Sequence, residues 1–179
     1  MSKFLIILGL LFCFKSDSPE FAWQENNKLQ WADFQGKPDV NSSAAAVTAS
    51  GITFGYSINK SSIYGITGFN ANVEALFYPE HSWCKKGVVN QHILKHEQFH
   101  FNITELNVRY LRQNIANLKV SAKIASQLDT LHKQANSNLA TMQKRYDAET
   151  NYSINKEEQA KWVVFVNKEL KRLEKFKSK

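Results

Sequence analysis

The spacing of apolar positions changes once along this chain. Up to about residue 78 they alternate with polar residues in steps of two, and from residue 88 they recur in steps of three and four. Over 51–58, Ile52, Phe54 and Tyr56 alternate with Thr53, Gly55 and Ser57, and a polar turn over 59–62 makes a hairpin. The clearest strand covers 69–78, where Ala71, Val73, Ala75 and Phe77 alternate with Asn70, Asn72 and Glu74 until Pro79 stops it. Before these, the aromatic-dense stretch 21–38 holds Trp23, Trp31 and Phe34 and closes on Gly36 and Pro38, as an extended segment ending in a turn. A loop over 79–87 carries His81, Trp83 and Cys84.

The first helix is predicted over 88–114 with two apolar stripes, Ile93, Ile103 and Tyr110 on one side and Leu94, Phe101, Val108 and Leu111 on another. Apolar residues on several sides describe an enclosed helix. The second, over 121–147, has the single stripe Ile124, Leu128, Leu131, Ala135, Leu139 and Met142. A polar turn over 150–155 leads to a third helix over 156–176. Strands first and helices last give an α+β domain, a small and mostly antiparallel sheet followed by three helices.

Length adds one leader to this picture. Residues 4–14 are an unbroken apolar run after Lys3, the length of a signal-peptide core and too short to span a bilayer. The expected organisation is a signal peptide over 1–18, its cut somewhere between Cys13 and Glu20, and one domain over 19–179. The protein is then exported: periplasmic, envelope-associated or secreted. Cys13 also offers a lipid-anchor reading, against which the bulky Phe12 stands. With the leader removed, Cys84 is the only thiol, so no intramolecular disulfide can form. The net charge of +7 suits an anionic partner, but much of the excess lies in 168–179, interleaved with acids as on a solvated helix face. No nucleic-acid partner is expected, and the expected state is a monomer.

The chemistry concentrates in His96-Glu97-Gln98-Phe99-His100, an H-E-x-x-H within the first helix. Side chains four apart share a helix face, so His96 and His100 can offer two imidazoles to one zinc ion, with Glu97 beside them as general base and acid. His92 is excluded from the same ion, because His92 and His100 are ~12 Å apart along the helix axis. His81 and His132 read as surface or satisfied-core histidines. Glu105 lies off the metal face and reads as a structural or supporting acid. A third ligand must come from elsewhere. If the first two helices turn near Leu118, residue 98 lies level with about residue 138, Asp129 and His132 sit too near the turn, and Asp147, Glu149 and Tyr152 are the candidate donors.

These blocks carry a resemblance. The tryptophan-rich start, Ser82-Trp83 after a strand, the sequence from His96 to Glu105, and the later Tyr146-Asp147-Ala148-Glu149-Thr150-Asn151-Tyr152-Ser153 with Gln159 and Trp162 resemble the bacterial domain of unknown function 922 family. That family is regarded as secreted zinc peptidases of the zincin type. The resemblance implies a zincin-like fold, zinc as cofactor, a peptide or protein substrate, His96 and His100 as ligands and Glu97 as the acid. It also implies a sheet edge beside the metal that binds extended substrate, for which strand 69–78 is the candidate.

The family typically carries a histidine two residues after the threonine, where this chain has Tyr152. A tyrosine phenol ionises only near ~10 in water and is the weaker ligand. Three outcomes stay open: Tyr152 ligates weakly, Asp147 or Glu149 substitutes, or the metal is lost. Two functional readings follow. One is an exported zinc-dependent metallopeptidase, the other a degenerate, noncatalytic relative that binds peptide or envelope components.

Overall fold

A computed structural model describes residues 20–178. The predicted leader and Cys13 lie outside the described residues. Five strands and three helices follow in chain order: β1 (Phe21–Ala22), β2 (Ala46–Val47), β3 (Ser50–Ser61), β4 (Gly65–Phe77), β5 (Trp83–Cys84), α1 (Gln91–Ala116), α2 (Ile124–Thr150) and α3 (Lys156–Arg172). The architecture is α+β, as the change of period predicts. No helix among the described residues is long and apolar enough to cross a membrane.

β3 and β4 form a long antiparallel hairpin whose register sets Ile52 opposite Ala75 and Phe54 opposite Val73. Residues directly opposite share a face, so the apolar members of both strands lie on one side. There Val73, Ala75 and Phe77 are buried. Phe77 meets Phe101 of α1 at 5.7 Å between ring centroids, with Phe21 and Phe34 closing round it at 5.2 and 5.4 Å. β1 pairs with β4 only at Phe77 and Leu76, so the order is β1-β4-β3. β4, the expected substrate-binding strand, is central in this order, but β1 covers it only at Leu76 and Phe77. The 79–87 loop holds β5, which pairs with β2 through Ala46 and Cys84 and through Val47 and Trp83.

α1 begins at Gln91 rather than 88 because Asn90 caps it, its side chain accepting from the backbone N–H groups of His92 (2.9 Å) and Ile93 (3.1 Å). It is buried on most sides, and its polar residues tie down the rest of the chain. Asn102 Oδ1 accepts from Trp23 Nε1 at 2.9 Å and from Gln98 Nε2 at 3.0 Å, while Gln98 Oε1 accepts from the Leu29 N–H at 2.7 Å. Gly36 closes that N-terminal segment: its N–H donates to the Ser82 carbonyl at 2.8 Å, and a Cβ there would lie 2.7 Å from the Glu80 carbonyl oxygen.

At its far end α1 holds the C-terminus. The Glu105 carboxylate, 0% exposed, accepts from Arg109 Nε at 2.8 Å, from the Ser178 N–H at 3.1 Å and from Ser178 Oγ at 2.7 Å. Arg109 also donates to the Leu170 carbonyl. Glu105 is thus the structural acid its position off the metal face predicts.

A buried charge stripped of its partner is strongly destabilising, whereas an apolar pair in its place is tolerated. Arg109→Met alone should lower unfolding free energy by about 3–5 kcal/mol in urea denaturation. Adding Glu105→Leu should recover most of it. A loss below ~1 kcal/mol for the single change would contradict this account of the pair.

Candidate metal centre

α1 and α2 form an antiparallel pair joined by residues 117–123. The pairing is set by polar contacts: His96 faces Asp147, and His100 faces Gln143 and Asp147. Residue 98 is therefore level with about residue 145, not 138. α2 starts three residues later than expected, at Ile124, and the facing pairs set its level almost two turns beyond that of a turn at Leu118.

Helical pitch places His96 and His100 on one face of α1, and Gln143 and Asp147 on the facing side of α2. Three donor atoms meet between them. Asp147 Oδ1 is 3.2 Å from His96 Nε2 and 2.9 Å from His100 Nε2, and the two Nε2 atoms are 3.2 Å apart. Zinc with bonds of about 2.0–2.1 Å needs tetrahedral ligand edges of about 3.3–3.4 Å. The three atoms fit that requirement with small adjustment, and two imidazoles plus a carboxylate are a donor set that zinc takes.

The outer nitrogens decide which way the imidazoles present their lone pairs. Gln143 Nε2 donates to the His100 carbonyl at 2.9 Å and to Thr104 Oγ1 at 3.3 Å. Its Oε1 therefore faces His100 Nδ1, which must be the donor of that hydrogen bond. Gln159 of α3 sets Oε1 3.3 Å from His96 Nδ1 in the same manner. With both Nδ1 atoms engaged by amide oxygens, both Nε2 atoms are left to the shared centre.

Electrostatics follow from the same contacts. Burial alone would raise the Asp147 carboxyl, but hydrogen bonds from His100 and His96 outweigh it and hold the carboxyl well below the usual carboxylate range. Burial would likewise depress the His100 imidazole, yet the Asp147 hydrogen bond and the Glu97 charge turn the balance and raise it. Glu97 is 5% exposed, and its backbone carbonyl accepts from Thr48 Oγ1 at 3.2 Å. Its charge also reaches Cys84, a buried free thiol whose pKa rises chiefly through burial.

Tyr146 completes the enclosure. Its ring stacks on His96 at 4.5 Å and 17° and meets His100 edge-on at 5.0 Å. Burial, with Glu97 and Asp147 nearby, pushes its phenol far above the ordinary range. Among the described residues its hydroxyl has no hydrogen-bond partner.

The other candidates lie elsewhere. Tyr152 is 69% exposed, against 4% for His96. α2 runs on through Thr150, and the backbone is left-handed at Asn151, Tyr152 and Ser153 (φ of 46°, 51° and 76°), with the Tyr152 N–H donating to the Asp147 carbonyl at 2.9 Å. Asp147, the alternative, occupies the third corner instead. Glu149 is engaged by Arg145 at 3.0 Å and by Trp162 Nε1 at 2.7 Å. His92 Nε2 meets the Ser153 carbonyl at 2.7 Å, and His132 stacks on Phe54 at 4.7 Å. Gln143 escaped the sequence reading, although its place four residues before Asp147 on the same helix face was a usable signal.

Residues 82–153 match the sequence model of a bacterial family described as a bacterial protein of unknown function, DUF922. Through this segment the chain is similar to the DUF922 family, the match covering less than half of its 179 residues. The matched DUF922 segment runs from Ser82 to Ser153 and contains His96, Glu97, His100, Gln143 and Asp147, while Gln159 on α3 lies beyond it. No curated protein and no solved structure matches the chain significantly.

The site makes two predictions. Gln143→Leu should weaken zinc binding by roughly 10–100-fold in a chelator competition, with the helical circular dichroism unchanged; equal affinity would contradict the positioning role. In metal-free protein, the raised His100 pKa stabilises fully below ~6.5 and is lost as pH rises through the raised value. The lowered Asp147 pKa stabilises fully above ~3.9 and is lost as pH falls through the lowered value. The melting-temperature difference between metal-free wild type and His100→Gln should therefore be largest between about pH 4 and 6.5. A difference that grows from pH 7 to 9 would contradict the assignment.

Proposed function

We propose that this protein is an exported zinc-dependent peptidase with a zincin-like domain, in which His96, His100 and Asp147 hold the metal and Glu97 is the general base and acid. The observation that carries the reading is the convergence of two imidazole Nε2 atoms and one carboxylate oxygen within 3.2 Å of one another. Glu97 stands next to the first of them on the same buried helix. The predicted leader over 1–18 supports export.

When bound, zinc would act as a Lewis acid and bring the pKa of a coordinated water toward ~7. The chain's own residues do the rest. Glu97 takes the proton of the attacking water and delivers it to the leaving amine as the peptide bond breaks. Gln143 and Gln159 hold the imidazoles in the orientation that binding requires. Tyr146 and Trp162 cover the inner side of the site with aromatic surface. Asp147 is 31% exposed on its side chain, so substrate and solvent reach the centre from that side.

The test combines metal analysis with turnover. Purified wild type should hold about one zinc per chain and hydrolyse a casein-type protein substrate. Glu97→Gln should keep the zinc and lose roughly 10²–10⁴-fold in rate. Hydrolysis at the wild-type rate in Glu97→Gln would contradict the proposal, as would a wild type that takes up no zinc.

A further inference from the structure

We infer that His92 is a positioning residue for the metal centre, holding the end of α2 and the start of α3 against α1, and with them Asp147 and Gln159; the inference rests on the zinc reading of the site. Non-glycine residues in the left-handed region are strained and persist only where their surroundings hold them. After α2 three stand in succession, Asn151, Tyr152 and Ser153. The hydrogen bonds within the segment are local. The Tyr152 N–H donates to the Asp147 carbonyl at 2.9 Å, the Ile154 N–H to the Asn151 carbonyl at 3.1 Å and the Ser153 N–H to Thr150 Oγ1 at 3.5 Å. Among the described residues, the one hydrogen bond that reaches 151–154 from a distant element is that of His92, whose Nε2 lies 2.7 Å from the Ser153 carbonyl oxygen.

A carbonyl only accepts, so Nε2 is the donor. A proton sits on that nitrogen in one neutral tautomer and in the imidazolium alike, so the contact does not need a charged ring. His92 is itself fixed at the start of α1, its N–H donating to the capping Asn90 Oδ1 at 2.9 Å, one helical turn before His96. On the other side of the contact, Ser153 is 8% exposed and tied into both flanking helices. Backward, the Tyr152 N–H reaches Asp147. Forward, the Asn155 N–H donates to the Thr150 carbonyl at 2.7 Å, and Asn155 Oδ1 caps α3 by accepting from the Glu158 N–H at 3.2 Å. One turn further on, Gln159 sets Oε1 3.3 Å from His96 Nδ1. A single hydrogen bond from α1 thus places the two groups that come back to His96 from opposite sides, the carboxylate at Nε2 and the amide at Nδ1. Ligands of a metal need such support to hold their geometry.

The test compares the full-length wild type with His92→Phe, which keeps a planar ring without a donor, and His92→Gln, whose amide nitrogen restores a donor at similar reach. Zinc affinity is read by chelator competition, and amide hydrogen exchange is followed residue by residue in metal-free protein. His92→Phe should bind zinc about tenfold more weakly. Its Tyr152 and Asn155 amides should exchange about tenfold faster. His92→Gln should recover most of both. Helical circular dichroism should stay as in wild type, because His92 is half-buried in the first turn of α1. Unchanged affinity in His92→Phe, or an equal loss in His92→Gln, would overturn the inference. So would a His92→Phe chain that does not fold, since the contact would then carry the fold and not the site. Failure of the zinc reading looks different: a wild type that takes up no zinc, while His92→Phe still speeds exchange of the two amides and His92→Gln still restores it.

Discussion

α1 is a polar helix placed where a core helix would be. Gln98, Asn102, Thr104, Glu105, Asn107 and Arg109 are all buried in it, beside His96 and Glu97. Buried polar groups without partners are costly, so every neighbouring element has to bring a partner. The N-terminal segment brings Trp23 and Leu29 to Asn102 and Gln98, β3 brings Ser50 to Thr104 at 2.7 Å, and the C-terminus brings Ser178 to Glu105. α2 brings Gln143 and Asp147 to the histidines. Among the described residues a single enclosed helix thus ties down the segment around Trp23 and Leu29, the segment ending at Ser178, the sheet and the candidate site.

The same constraint shapes the centre. Thr104 and the His100 carbonyl hold Gln143, Gln143 holds His100, and His100 with His96 holds Asp147. These hydrogen bonds lie between two long helices whose backbones are already paired internally, so the three donor atoms are positioned by rigid elements. Tyr146 packs flat on His96 and fills the space behind it. The side that reaches solvent is that of Asp147, whose side chain is 31% exposed.

How much of this could be read from the sequence depends on the distance over which each feature is determined. The hairpin strands and the three helices follow from local period and were predicted to within a few residues. His96 and His100 were legible because both donors belong to one turn of one helix. Asp147 was legible only as one of three candidates, since its level against α1 depends on the length of the 117–123 connector and on Gln143, neither of which has a period. β2 and β5 are two residues each and carry no pattern. The left-handed run at Asn151, Tyr152 and Ser153 has no glycine to announce it.

The central claim is that Asp147, and not Tyr152, stands as the third donor beside His96 and His100. Zinc affinity by chelator competition in Asp147→Ala and in Tyr152→Phe tests it most directly. The account predicts that Asp147→Ala loses at least ~10²-fold in affinity, as expected when one of three protein ligands is removed, while Tyr152→Phe binds as wild type does. A Tyr152→Phe protein that loses its zinc, with Asp147→Ala unaffected, would contradict it.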